Sequence, residues 1–202
     1  MLRRRIEGIA FGLGALAALA IGAANNSAQA EFVVNMYQDG SNIVAMGSGT
    51  IDLTDLTSLP SGAALSAFIV PTSAIIFTGG TAASDHYSGF TGPSSFGIGG
   101  VSNAASGTGD FVGLQGATTQ AFLLVPVGYV SGNSLSDTST YENATFSSLG
   151  VTPGTYTWTW GSGADADSFV LNIGVPGPAS AATFAPALLG LVAIRRRRRK
   201  AV

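Results

Sequence analysis

The sequence predicts an all-β domain: an antiparallel β-sandwich of jelly-roll-like form, flanked by an N-terminal signal helix and a short C-terminal membrane helix. Three observations predict it. Through the middle of the chain, short runs of Val, Ile, Phe, Tyr and Thr alternate with clusters of Gly, Ser, Asn and Asp, as strands alternate with turns. In the stretch "PGTYTWTWGSGADADSFVLNIG", Thr155, Thr157 and Thr159 alternate with Tyr156, Trp158 and Trp160, a period of two that puts unlike residues on the two faces of a strand. Outside the two ends, no long segment carries a helical period.

The first element is the signal segment, residues 1–30. "MLRRRIEG" is a short basic start, and Ile9 to Ile21 is an apolar run of thirteen residues, too short to span a bilayer comfortably. Small residues follow and end in Ala28-Gln29-Ala30, an A-x-A cleavage site. The mature chain is expected to begin at Glu31.

Residues 31–174 form the expected domain. "EFVVNMYQ" and "NIVAMGSGTIDL", joined by "DGSN", read as a hairpin. "ALSAFIV" and "SAIIFTG" are a second pair of apolar runs, separated by Pro71. From Thr78 to Gly109, Gly, Ser and Ala dominate, and long loops or irregular short strands are expected. "DFVGLQG", "AFLLVPVGYV" and "TYENATFSSLG" resume the strand pattern. The last element is a hairpin around the polar loop "GSGADAD". On one strand Thr155, Thr157 and Thr159 alternate with Tyr156, Trp158 and Trp160; on the other, Phe169, Leu171 and Ile173 carry the apolar face.

The tail, 175–202, consists of the short motif Val175, Pro176, Gly177 and Pro178, the apolar run 179–194, and the basic end 195–200. The sixteen residues Ala179–Ile194 would cover about 24 Å as a helix, against a hydrocarbon core of about 30 Å. It is a marginal span, which snorkelling of the flanking arginines would extend. Arg195, Arg196, Arg197, Arg198, Arg199 and Lys200 would hold the C-terminus on the cytoplasmic side, and Arg3, Arg4 and Arg5 the N-terminus. Both ends agree on one topology, with the middle of the chain outside.

Those clusters account for all nine Lys and Arg residues of the chain. The eleven acidic residues lie elsewhere, and setting aside Glu7 leaves ten of them in the domain. The domain therefore carries about −10 although the whole chain carries −2. Nucleic-acid binding is excluded, because nothing in the domain neutralises a phosphate. Ion pairs of the Lys or Arg type are excluded within it too, so burial and backbone hydrogen bonds must hold it together. Cysteine is absent, and an exported domain without disulfides must build a sufficient core, which this length permits.

The tail resembles the PEP-CTERM sorting signal of exported bacterial proteins: a short Pro motif, a brief Ala/Leu/Gly-rich helix and an Arg-rich end, in that order. The usual motif is Val-Pro-Glu-Pro, and Gly177 stands where the family has Glu. "GSGTIDLTDL", "YSGFTGPSSFGIGG" and "TYENATFSSLGVTPGTYTWTWGSGADADSFVLNIG" resemble a group of small exported proteins with the same kind of tail. The resemblance implies two processing partners, signal peptidase and a membrane-embedded exosortase. It also implies transient or permanent anchoring at the inner membrane, and a cell-surface, biofilm or exopolysaccharide setting. Without processing, the tail would be a plain membrane anchor.

Few residues in the domain suggest chemistry. His86, the only histidine, sits in "SDHYSG" beside Asp85 and Ser88. Adjacent residues rarely converge as a triad does, no G-x-S-x-G elbow is present, and a polar loop residue is expected. One His and no Cys exclude a zinc site. Asp165 and Asp167 invite a calcium reading, but an EF-hand loop would need an oxygen ligand and a Gly where Phe169 and Val170 stand. Two carboxylates with loop carbonyls would hold calcium only weakly, so no metal and no cofactor are expected. Tyr156, Trp158 and Trp160, about 6.8 Å apart along one strand face, either fill the core or stack on sugar rings.

The expected function is that of a non-enzymatic, exported surface or extracellular-matrix protein. The alternative is a secreted carbohydrate-binding module that uses the aromatic strand face, with extracellular polysaccharide as partner. An enzyme working through paired carboxylates is the third and weakest reading.

Overall fold

A computed structural model describes residues 30–116 and 120–177. Ala28, Pro178, the two expected terminal helices and the basic end Arg195–Lys200 lie outside the described residues. Among the described residues, no helix is long and apolar enough to cross a membrane.

In chain order the strands are β1 (Glu31–Asp39), β2 (Asn42–Gly49), β3 (Thr57–Leu65), β4 (Phe68–Val70), β5 (Ile75–Thr78), β6 (Ala82–Ser88), β7 (Ser102–Asn103), β8 (Ser106–Gly109), β9 (Val112–Gln115), β10 (Phe122–Pro126) and β11 (Leu135–Tyr141). A one-turn helix α1 (Phe146–Leu149) then leads to β12 (Gly154–Trp160) and β13 (Asp167–Ile173). A six-stranded sheet has the order β12-β13-β1-β2-β11-β8, and a seven-stranded sheet the order β3-β6-β10-β9-β5-β4-β7. The architecture is an all-β sandwich of two sheets.

Alternation in sequence becomes alternation in burial. Phe32, Val34 and Met36 of β1 are fully buried, as are Ile43 and Ala45 of β2 and Phe169 and Leu171 of β13. Across the sandwich they meet Ile69, Ile76, Val112, Leu114, Leu123 and Val125 of the other sheet in one cluster. Both expected hairpins form. Asp39 pairs with Asn42 at the turn between β1 and β2, and Gly154 to Trp160 pair in unbroken register with Ile173 to Asp167.

One pairing departs from the antiparallel expectation. β1 runs parallel to β13, with Phe32 opposite Phe169 and ring centroids 5.5 Å apart. Parallel neighbours need a long crossover, and here nearly the whole domain is that crossover, so no local signal announces the pair.

Three local expectations are also corrected. The Gly-rich stretch from Thr78 contains a regular seven-residue strand, β6, that lies inside the sheet between β3 and β10. "TYENATFSSLG" is not one strand: β11 ends at Tyr141 and α1 follows. Thr145 caps that helix, accepting from Ser148 N at 3.0 Å while Ser148 Oγ accepts from Thr145 N at 2.8 Å, a capping box. "ALSAFIV" is divided between the end of β3 and β4, and it is β4 that pairs with β5 across Pro71 as the second pair of apolar runs.

The seven-stranded sheet is apolar on both faces. Away from the sandwich core, Phe77, Phe111 and Leu124 form a second buried cluster flanked by Phe68, Ile75, Ala82 and Phe122. Continuous apolar runs such as "IIFT" and "FLLVP", which lack alternation, are the sequence form of a strand covered on both sides.

Candidate functional site

The aromatic row of β12 faces inward. Trp158 is fully buried and Trp160 is 4% exposed, so neither indole presents a ring face to a sugar. Trp158 Nε1 donates to Pro93 O at 2.8 Å, and Trp160 Nε1 donates to Asp52 O at 2.7 Å. Tyr156 is half-buried against the core and donates to Thr152 O at 3.0 Å. Sugar stacking on Tyr156, Trp158 and Trp160 is therefore corrected. The large apolar area of these rings outweighs exposure, and each indole N–H finds a carbonyl inside.

The outward residues of the strand are the threonines. Thr155, Thr157 and Thr159 are exposed, and Thr155 Oγ1 donates to Asn172 Oδ1 at 2.8 Å. Asn172 Nδ2 continues to Asn35 Oδ1 at 3.1 Å, so a polar ladder crosses β12, β13 and β1.

The three body segments quoted above come together around β12. Thr91 of "YSGFTGPSSFGIGG" bridges Thr159 through backbone bonds of 2.9 and 3.0 Å. A Cβ on Gly92 would stand 2.3 Å from Trp158 Cδ1, so only glycine lets the loop cross the indole. Phe90 and Phe96 of the same loop plug into the core. Asp52 of "GSGTIDLTDL" supplies the carbonyl for Trp160. What the sequence presents as separate motifs is one closed end of the sandwich.

That end holds the acidic residues considered for calcium, and they do not converge. Asp165 is exposed, whereas Asp167 is 4% exposed and accepts from Asp52 N and from its own neighbour Ser168 N, both at 2.5 Å. The Asp52 carboxylate is occupied by Thr54 N, Thr54 Oγ1 and Ser131 Oγ at 3.0, 2.6 and 2.9 Å. Those hydroxyl and amide donors hold the Asp52 carboxyl below its ordinary value, while burial pushes Asp167 up to about 6. Among the described residues, no group of three or more His, Cys, Asp or Glu is placed to hold a metal ion. The two carboxylates clamp backbone N–H groups where the segment after β2, the loop after β10 and the start of β13 meet. Beside them Ala30, Glu31, Thr157, Thr159, Trp160 and Asp167 line a cleft of about 440 Å3.

His86 lies on a strand rather than in the expected loop. Its ring stacks on Phe122 at 5.0 Å with 2° between planes, and its Nε2 lies 3.1 Å from Ser84 Oγ. Burial lowers its pKa below the ordinary imidazole value, which favours the neutral ring. Asp85, next on the strand, points to the opposite face and accepts from Ser61 Oγ at 2.7 Å and Gly128 N at 2.8 Å. The Ser–His–Asp reading ends there.

The most perturbed carboxyl is one that the sequence does not mark. Asp137, 5% exposed, points into the sandwich from β11 and accepts from Gly47 N at 3.2 Å and Thr78 Oγ1 at 2.9 Å. Burial pushes it up to about 7. Beside it on the strand, Ser139 Oγ accepts from Gly79 N at 2.9 Å, and the buried Tyr141 hydroxyl has no hydrogen-bond partner among the described residues. The period-two pattern of "LSDTSTY" was available as a signal, but polar residues on an inward face read from sequence as an outward face.

The first three residues of the Val175–Pro178 segment lie against the domain. Gly174 N donates to Met36 O at 2.9 Å, and Val175 and Pro176 then border a cleft of about 520 Å3 on the outer face of the six-stranded sheet, floored by Asn35, Tyr37, Met46 and Ser48. Gly177 rests on Tyr37.

Comparison with known protein families, with curated proteins and with solved structures finds no match to this chain.

Proposed function

We propose that this chain is an exported, non-enzymatic surface or extracellular-matrix protein, delivered by a signal peptide and sorted through its C-terminal tail. The observation that carries the reading is the distribution of charge. Every Lys and Arg lies in 3–5 or 195–200, and each cluster adjoins an apolar segment. The strand boundaries support it: the first strand begins at Glu31 and the last ends at Ile173, so removing both ends leaves every strand whole. The jelly-roll-like class stays part of this reading, although its first and last strands are neighbours in parallel rather than antiparallel.

Signal peptidase, cutting after Ala30, and an exosortase acting near Val175–Pro178 are the proposed processing partners. The inner membrane holds the tail before processing, and exopolysaccharide is the proposed surroundings of the mature domain. The domain's contribution is a surface of one sign, which keeps copies apart. A sugar-binding reading through the aromatic strand is not carried forward, because that face is core.

The test is the intact mass of the protein recovered from its exporting host. A species that begins at Glu31 and ends within Val175–Pro178 is the expected result. A species that retains Arg195–Lys200 makes the tail an anchor and ends the sorting-signal reading.

A further inference from the structure

The residue that departs from the Val-Pro-Glu-Pro pattern, Gly177, lies against the folded domain. An added Cβ at Gly177 would lie 2.7 Å from Tyr37 Cδ2 and 3.0 Å from Cε2, closer than side chains pack. Tyr37 is not free to swing aside without loss. It projects from β1 one residue past the last β1–β13 pair and opposite Val44 of β2, and its hydroxyl lies 3.1 Å from Met46 Sδ on β2. Upstream, Gly174 is tied to the same strand through Met36 O. The four residues from Gly174 to Gly177 are thus held at both ends, by a backbone hydrogen bond and by an aromatic ring. Glycine at 177 is what lets the chain lie flat on that ring.

We propose that Tyr37 latches Val175–Gly177 onto the six-stranded sheet and so sets how readily the tail beyond is cut from the domain. A protease needs its substrate extended and free of the body that carries it. Bonds in this segment are therefore accessible only in the fraction of molecules in which the segment has lifted off the sheet. A glutamate at 177 would press on the Tyr37 ring in the docked position, so either the ring or the segment would have to move. The biological use of the latch rests on the sorting-signal reading; its physical existence does not.

The experiment uses the full chain purified in detergent, with amide hydrogen exchange at Gly174 as the probe, because its N–H is bonded to Met36 O and is exposed only when the segment lifts. Exchange is followed by mass spectrometry for the parent, Tyr37→Ala, Gly177→Glu and the double variant, with circular dichroism as the check on folding. Gly177→Glu leaves the domain's own residues intact, so it answers even if Tyr37→Ala fails to fold. Each single variant is expected to exchange at Gly174 on the order of five- to tenfold faster than the parent, with the double variant no faster than the quicker single, because one latch can be opened only once. Equal rates in parent and variants overturn the proposal, as do accelerations that multiply in the double variant. Faster exchange in the variants of a chain whose tail the host never removes would keep the latch and end the sorting-signal reading.

Discussion

Trp158 and Pro93 stand 65 positions apart in the chain, yet the indole N–H of one donates to the carbonyl of the other across 2.8 Å. This bond fastens the Gly-rich loop over the end of the sandwich. It also orients the largest fully buried side chain in the domain, which sits edge-on to Phe169 at 6.0 Å.

Trp158→Ala should therefore destabilise the domain by about 3–5 kcal/mol, the range for emptying a large aromatic site in a core. Trp158→Phe should cost less, since it keeps much of the burial but leaves the Pro93 carbonyl without its donor. Urea denaturation followed by far-ultraviolet circular dichroism measures both. A Trp158→Ala variant as stable as the parent would return the indole to the surface.

Gly92→Ala tests the same contact from the other side. The new methyl group would meet Trp158 Cδ1 at 2.3 Å, and neither the bridged loop nor the hydrogen-bonded indole can move without breaking its bond. A loss of about 1–3 kcal/mol is expected, the scale of overpacking. The midpoint of thermal unfolding reads it, and an unchanged midpoint would mean that the loop does not cross the ring.

The buried carboxyls predict an unusual pH dependence. Asp137 rises from 3.8 to about 7 and Asp167 from 3.8 to about 6, so the native state holds both protons more tightly than the unfolded chain does. Their contribution to stability is fully present below about 4 and is lost as the pH rises through about 6 and then about 7. For Asp137 alone the change corresponds to about 4 kcal/mol as an upper bound. Asp52 and Asp85, lowered by their hydrogen bonds, act in the opposite sense, and only as the pH falls below the ordinary carboxylate value. Greatest stability is thus expected at mildly acidic pH, with the domain weaker at pH 8 than at pH 5. Asp137→Asn should remove most of that slope, because an amide does not titrate, and its carbonyl oxygen can still accept from Gly47 N. Chemical denaturation across pH decides it; a parent most stable at pH 8 would show the carboxyl to be ionised in the fold.

Thr145→Ala should cost about 1 kcal/mol through loss of the helix cap. Its effect should appear locally, as faster amide exchange at Ser148 and Leu149, since α1 is a single turn with only Leu149 buried. Unchanged exchange there would mean that the turn is held by Leu149 alone.

Legibility from sequence divides by the range of the interaction. The terminal hairpins were readable because each pairs strands a few residues apart around Gly, Asn or Asp, and the alternation between Thr155 and Trp160 marked a two-faced strand. β6 was hidden because "AASDHYS" contains little that favours a strand; it is one because β3 and β10 bond to both its edges. α1 was hidden because a single turn carries no period, although Thr145 and Ser148 have capping spacing. At the candidate site, the sequence marked Asp167 but not the donors that occupy it, and it left Asp137 unmarked altogether.

By itself, then, the amino-acid sequence determined what depends on composition and near neighbours. It determined the basic ends and the acidic, cysteine-free middle, the all-β class, and the two-faced last hairpin. Only the tertiary structure decided which face of that hairpin is the inside, that β1 lies parallel to β13, and that Gly177 rests on Tyr37. Those outcomes depend on which distant surfaces meet. The area that Trp158 and Trp160 remove from water, and the carbonyls of Pro93 and Asp52 that satisfy them, come from segments the local pattern does not contain.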